Sequence, residues 1–181
     1  MAYIYHQISK NMTGETLYPL SKLEVFAPAL YEQQRAKYFD HPSRERIPYQ
    51  RLPKLDCLRK EVLNFSPLHP HLVYEAWQAL GVTLPDVNWY QFPVEAVAHL
   101  PAVVYQPGLS EDIPGAHVRW LEPATYREVT ALSDATKKWY AQLHKAGRRG
   151  GWFAHTPHVL VRGAVSVERA AVISWRDAHI S

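Results

Sequence analysis

The sequence predicts an α+β fold with a largely antiparallel sheet, and three observations carry that expectation. Strand-like segments rich in aromatic and β-branched residues stand near both ends of the chain, at 2–8 and 157–163. Stretches with helical periodicity lie between them. Strands and helices do not alternate in the regular way that a parallel sheet requires. At 181 residues, 47% of them hydrophobic, with six Trp, eleven Tyr and five Phe, the chain has the material for one core and fits a single domain over 1–181.

In residues 2–8, Tyr3, Tyr5 and Gln7 fall on one face of a strand and Ile4, His6 and Ile8 on the other. Asn11 to Gly14 reads as a turn. The run from Leu17 to Leu23 is ambiguous because Pro19 interrupts it. Pro28 suits the first position of a helix, and Leu30, Gln34 and Tyr38 recur at spacing four along one face. Between His41 and Lys54, Pro42, Pro48 and Pro53 rule out an uninterrupted helix, so Arg44, Arg46, Arg51 and Lys54 are expected in an irregular basic loop. The spacing of Leu55, Leu58 and Val62 suggests a helix over 55–65. Leu72, Val73, Ala76, Trp77 and Leu80 form the apolar face of a helix over 71–80, which Gly81 would close.

A short β run is expected at 102–105, then a polar loop from Gly108 to Gly115 that holds Ser110, Glu111 and Asp112. Residues 116–121 alternate as a half-buried strand does. Pro123 is read as the start of a helix over 124–146, with Tyr126, Val129, Leu132, Thr136, Trp139 and Leu143 on one stripe, and Gly147 ends it. Two strands, 157–163 and 171–175, close the chain.

The formal charge of +3 and a pI near 8.9 are mildly basic, without the dense runs of a nucleic-acid arm. One cysteine, Cys57, excludes an intramolecular disulfide and a cysteine-based zinc site, and it reads as a small buried hydrophobe. The N-terminus has no signal-peptide pattern and no stretch nears the ~20 apolar residues of a membrane span, so a cytoplasmic protein without membrane contact is expected.

Ten histidines raise the question of a metal. His155 and His158 are three apart and His69 and His71 two apart, but neither pair has a third ligand nearby in sequence, and they read as loop and surface residues with no metal. There is no Gly-x-Ser-x-Gly elbow. The glycine-rich turn at 147–151 lacks phosphate-loop spacing; Arg148 and Arg149 in it are either solvated or in contact with an anion. The loop of Arg44, Arg46 and Arg51, flanked by Tyr38, Phe39 and Tyr49, is either a solvated surface or a site for single-stranded nucleic acid or a nucleotide.

Three stretches resemble the ADP-ribosyltransferase-like proteins, most nearly the DarT type. They are Tyr5-His6-Gln7-Ile8-Ser9 in the first strand, the middle segment from Glu61 to Tyr74, and Pro157-His158-Val159-Leu160-Val161 followed by the hydrophobic strand from Ala171 to Trp175. The resemblance implies a mostly antiparallel split sheet with flanking helices and NAD as cofactor. It places His6 and Gln7 at the NAD ribose, Arg46 or Arg51 at the diphosphate, and Tyr74 on the nicotinamide side. The family's catalytic glutamate begins the late strand, and here His158 stands in its place. A neutral histidine accepts or donates one hydrogen bond where glutamate only accepts, so His158 is the implied catalytic residue with altered chemistry.

The acceptor implied is nucleic acid, as in a toxin or defence protein. The alternative from a different class is a non-enzymatic module of the same fold that recognises a nucleotide, nucleic acid or a protein partner. A third reading makes the chain an α+β scaffold with a protein-binding aromatic surface.

Overall fold

The structure is a computed structural model and describes residues 1–39, 44–108 and 112–178. Pro42, Ser110 and Glu111, named in the loops above, lie outside the described residues. The chain builds β1 (Tyr3–Gln7), β2 (Thr16–Leu17), α1 (Leu20–Phe26), α2 (Pro28–Ala36), β3 (Arg51–Leu52), β4 (Cys57–Leu58) and β5 (Val62–Phe65). Then come α3 (Pro70–Gln78), β6 (Asn88–Pro93), β7 (Ala102–Tyr105), β8 (Val118–Trp120), α4 (Asp134–Lys145), β9 (His158–Arg162), β10 (Val165–Ser166) and β11 (Ala171–Ser174). The fold is mixed α and β, and every strand pairing is antiparallel.

Two sheets form the body, one of order β1-β6-β11 and one of order β5-β9-β7-β8. They meet at one reciprocal pair of backbone bonds, Tyr5 N–H to the Ser66 carbonyl (2.9 Å) and Ser66 N–H to the Tyr5 carbonyl (2.8 Å). Alternation along the strands then sorts the side chains. Ile4 and Phe92 of the first sheet pack on Leu63, Phe65, Val159 and Val161 of the second. Tyr5 and Trp89 point the other way, into a cluster with Val73 and Trp77 of α3 and Tyr140 and Leu143 of α4. The far face of the second sheet buries Val62, Val103 and Leu160 with Leu52 and Cys57. Burial also pushes the Cys57 thiol up, as suits an inert core residue.

Several expected elements stand: the first strand, the helix opened by Pro28, the helix over 70–78, the strand at 102–105 and the two closing strands. Two expected helices do not form. Residues 55–65 make β4, which pairs with β3, and then β5, whose Leu63 and Phe65 face one core while Val62 faces another. A strand buried on both sides hides its period of two, and the spacing of Leu55, Leu58 and Val62 is incidental.

The helix expected over 124–146 starts only at Asp134, where the Ser133 hydroxyl accepts the Thr136 N–H (3.1 Å) as an N-cap. Residues 124–132 are drawn away by tertiary bonds. Val129 N–H donates to the Pro67 carbonyl, Tyr126 O–H to the Tyr3 carbonyl, and Glu128 accepts from Tyr3 N–H (2.9 Å) and Tyr5 O–H (2.7 Å). The strand β6, central to the first sheet, is not among the expected elements.

Glu128 therefore fastens this segment to β1. Glu128→Ala leaves the buried Tyr5 hydroxyl without its acceptor and should lower unfolding free energy by about 1–3 kcal/mol in urea titration. The exposed Glu168→Ala should stay within about 0.5 kcal/mol. Equal effects from the two variants would remove Glu128 from the account.

Candidate functional site

Where the two sheets meet, β1, β5 and the start of β9 border a cavity of about 240 Å³, closed on the other side by α1, α2 and the connection from β1 to α1. Three of the site residues expected from sequence line it together: His6, Gln7 and His158. The Tyr5–Ser66 bridge brings this about by setting β1 against the end of β5, while the pairing of Phe65 with Val159 puts His158 beside Ser66. Leu30, Gln34 and Tyr38, the stripe read at spacing four, also face this cavity.

Three other expected residues are elsewhere. Arg51 is exposed and paired with Asp56 across the β3–β4 turn. Arg46 stands at the short 3-10 turn Ile47–Tyr49 and is not on the cavity wall. Tyr74 lies on α3 between His71 and Trp175, its hydroxyl accepting from Gln78, and does not line the cavity either. The arginine that does line it is Arg59, which follows β4 and was expected inside a helix.

Asn64 organises the polar wall. Its backbone carbonyl takes a hydrogen bond from His6 Nδ1 (2.8 Å) and its side-chain oxygen accepts from Arg59 Nη2 (3.3 Å). A carbonyl cannot donate, so His6 carries its proton on Nδ1, and Nε2 remains as an acceptor. Burial depresses the His6 pKa, partly opposed by the Asn64 bond, with Lys37 depressing it further. His158 lies over Tyr105 at 6.2 Å between ring centroids, and the Arg59 guanidinium sits 5.4 Å from the same ring. Burial, then the charge of Arg59, pulls the His158 pKa down to about 3.

Lys37 stands at the rim, donating to Gln34 (3.1 Å), and the partial desolvation of its ammonium group, then the charge of Arg44, draws its pKa down. Arg59 is likewise drawn down by burial and remains the cation of the interior. Among the described residues no Asp or Glu lines the cavity, and neither cation forms an ion pair.

The pair His69 and His71 is structural. His69 is buried, and its Nδ1 accepts from His71 N–H at the start of α3 (3.2 Å), while His71 Nδ1 donates to the Trp175 carbonyl (3.0 Å). Neither is the surface residue expected from sequence, whereas His155 is exposed as expected. Among the described residues no three metal-binding side chains gather. In the glycine-rich turn, Gly147 ends α4 with φ near 66° and Arg149 donates to the Thr83 carbonyl. No helix is long and apolar enough to cross a membrane. No protein-family model, curated protein or solved structure matches this chain.

The depressed His158 pKa ties stability to pH. Below the unfolded value of about 6.5 the unfolded chain takes up a proton that the folded state refuses until about pH 3. The contribution is whole above pH 6.5 and is lost as pH falls toward 3. Going from pH 7 to pH 5, the wild type should lose about 2 kcal/mol more stability than His158→Asn, measured by urea titration at both values. Parallel pH profiles would show that His158 is not buried in neutral form.

Proposed function

We propose that the cavity binds NAD or an ADP-ribose-like nucleotide and that the protein is ADP-ribosyltransferase-like. The observation that supports this best is the pairing of Arg59 and Lys37 with two neutral histidines in a cavity whose described lining residues include no carboxylate. A diphosphate supplies the missing negative charge, and a guanidinium meets phosphate oxygens in a bidentate fashion. In this reading Arg59, rather than Arg46 or Arg51, holds the diphosphate. Gln7 and His6 Nε2 face the ribose hydroxyls. The volume falls a little below the ~300–1,000 Å³ of sites that enclose a drug-sized ligand, so the cavity takes part of the dinucleotide and the rest leaves through the mouth.

Bound NAD supplies a glycosidic bond whose leaving group, nicotinamide, departs with the bonding electron pair. The chain's own contribution is to orient and to bond. At neutral pH His158 carries no charge, so it serves as a neutral hydrogen-bonding group rather than a proton carrier. The acceptor in this reading is single-stranded nucleic acid. It is supported by the exposed Phe26 stacked on Tyr18 of the cavity wall (4.6 Å), and by Arg35 over Phe39 and Lys60 over Tyr49. That no described lining residue is a carboxylate favours a second reading, a binding module that holds the nucleotide without turnover.

Calorimetric titration with NAD and with ADP-ribose tests the binding. Arg59→Gln should weaken it at least tenfold, about 1.4 kcal/mol, His6→Ala comparably, and Arg51→Gln less than twofold. No heat from either ligand, or equal losses in Arg59→Gln and Arg51→Gln, would contradict the reading.

Nicotinamide release separates the two forms of the proposal. Turnover that His158→Ala abolishes while leaving affinity within about twofold belongs to a transferase. Binding without release in the presence of single-stranded DNA or RNA belongs to the module.

A further inference from the structure

A second cavity of about 250 Å³ opens at the ends of β5, β7 and β9. The two cavities share a wall. Ser66 and His158 line the first, and their chain neighbours Pro67 and Pro157 line the second. Around the second stand His117, Arg119, Arg127 and the amide of Gln106, and among the described residues that line it there is no Asp or Glu.

Local structure fixes these groups. His117 ends the 3-10 turn Gly115–His117, and Gln106 N–H donates to its carbonyl (2.9 Å). Its ring lies against the Gly108 backbone so closely that a Cβ there would stand 2.6 Å from Cε1, so glycine is the residue that allows the contact. This contact lies on the Cε1–Nδ1 edge of the ring, and Nδ1 is buried without a hydrogen-bond partner among the described residues, while the ring lines the cavity. Val118 is buried, and strand alternation then turns Arg119 outward, in register with Val104 of the cavity wall.

Arg127 Nη1 donates to the Tyr126 carbonyl (2.7 Å), which holds the guanidinium at the rim with its other N–H groups available. The adjacent carboxylate of Glu128 is committed to Tyr3 and Tyr5. Among the described residues neither arginine forms an ion pair.

Two guanidinium groups at one concavity leave positive charge that an anion among them would balance, and two guanidinium groups with an imidazole N–H match a tetrahedral oxyanion. We infer that this cavity is a second, phosphate-binding site, formed by His117, Arg119 and Arg127, for the phosphate group of a small phosphomonoester or diphosphate. It stands whether or not the first cavity binds a nucleotide.

Inorganic pyrophosphate is the probe, titrated while the His117 imidazole carbon-bound protons are followed by NMR, with His117→Gln identifying the signal. The expected result is a saturable shift that survives in Arg59→Gln and weakens at least tenfold in Arg119→Gln/Arg127→Gln. Both arginines are exposed, and an amide fingerprint spectrum confirms folding. If the double variant does not fold, each single variant should weaken binding at least threefold. No shift of His117, the same affinity after the arginines are replaced, or loss of the shift in Arg59→Gln would overturn the inference, the last by assigning the anion to the first cavity.

Discussion

A strand inside a sheet has to satisfy its backbone on both edges, and β1 does so unequally. One edge is fully paired with β6, from Tyr3 against Pro93 to Gln7 against Trp89. The other is satisfied by another strand at a single point, the reciprocal bonds between Tyr5 and Ser66. Those two bonds join the three-stranded and four-stranded sheets. Ile4 and Phe92 of one sheet pack on Leu63 and Phe65 of the other. Beside the bridge lies the first cavity, with His6 hydrogen-bonded to Asn64 and His158 a residue pair away. The site is thus a product of an unfinished pairing, and Glu128 and Tyr126 hold β1 in position from behind it.

The electrostatics of the cavity follow from that placement. Burial costs a charged imidazole its hydration, so both histidines are kept neutral, and Arg59 nearby strengthens this for His158. Arg59 itself keeps its charge because guanidinium does not deprotonate in proteins, and it is held by an amide oxygen of Asn64 rather than by a carboxylate. An interior cation satisfied only by neutral groups is half-compensated, which is the condition an anionic ligand relieves. A histidine at the start of β9 is compatible with this field, because a carboxylate there would pair with Arg59 and compete with a phosphate for it.

How much of this was legible in the sequence depended on whether local pattern or tertiary pairing decided each segment. The first strand, Pro28 as a helix start, the face of Leu30, Gln34 and Tyr38, and the closing strands were set by local periodicity and were readable. Arg59 was missed because 55–65 carries a helical spacing that sheet burial on both faces overrides. Pro123 was the more conspicuous start signal, but the Ser133-Asp134 pair is the cap that forms, since residues 126–129 bond to β1 and the segment after β5 instead. Arg51 looked available for a ligand and is paired with Asp56, five residues on, through a turn the sequence did not announce. The second cavity had no sequence signal at all: Gln106, His117 and Arg127 meet only through the β7–β8 register and the contact of His117 with Gly108.

A crystal structure of the protein soaked with ADP-ribose tests the central claim most directly. The account predicts diphosphate oxygens within about 2.7–3.2 Å of Arg59 nitrogens and a ribose hydroxyl at the same distance from His6 Nε2. Ligand bound outside the cavity between the two sheets, or a cavity that stays without ligand at saturating concentration, would contradict it.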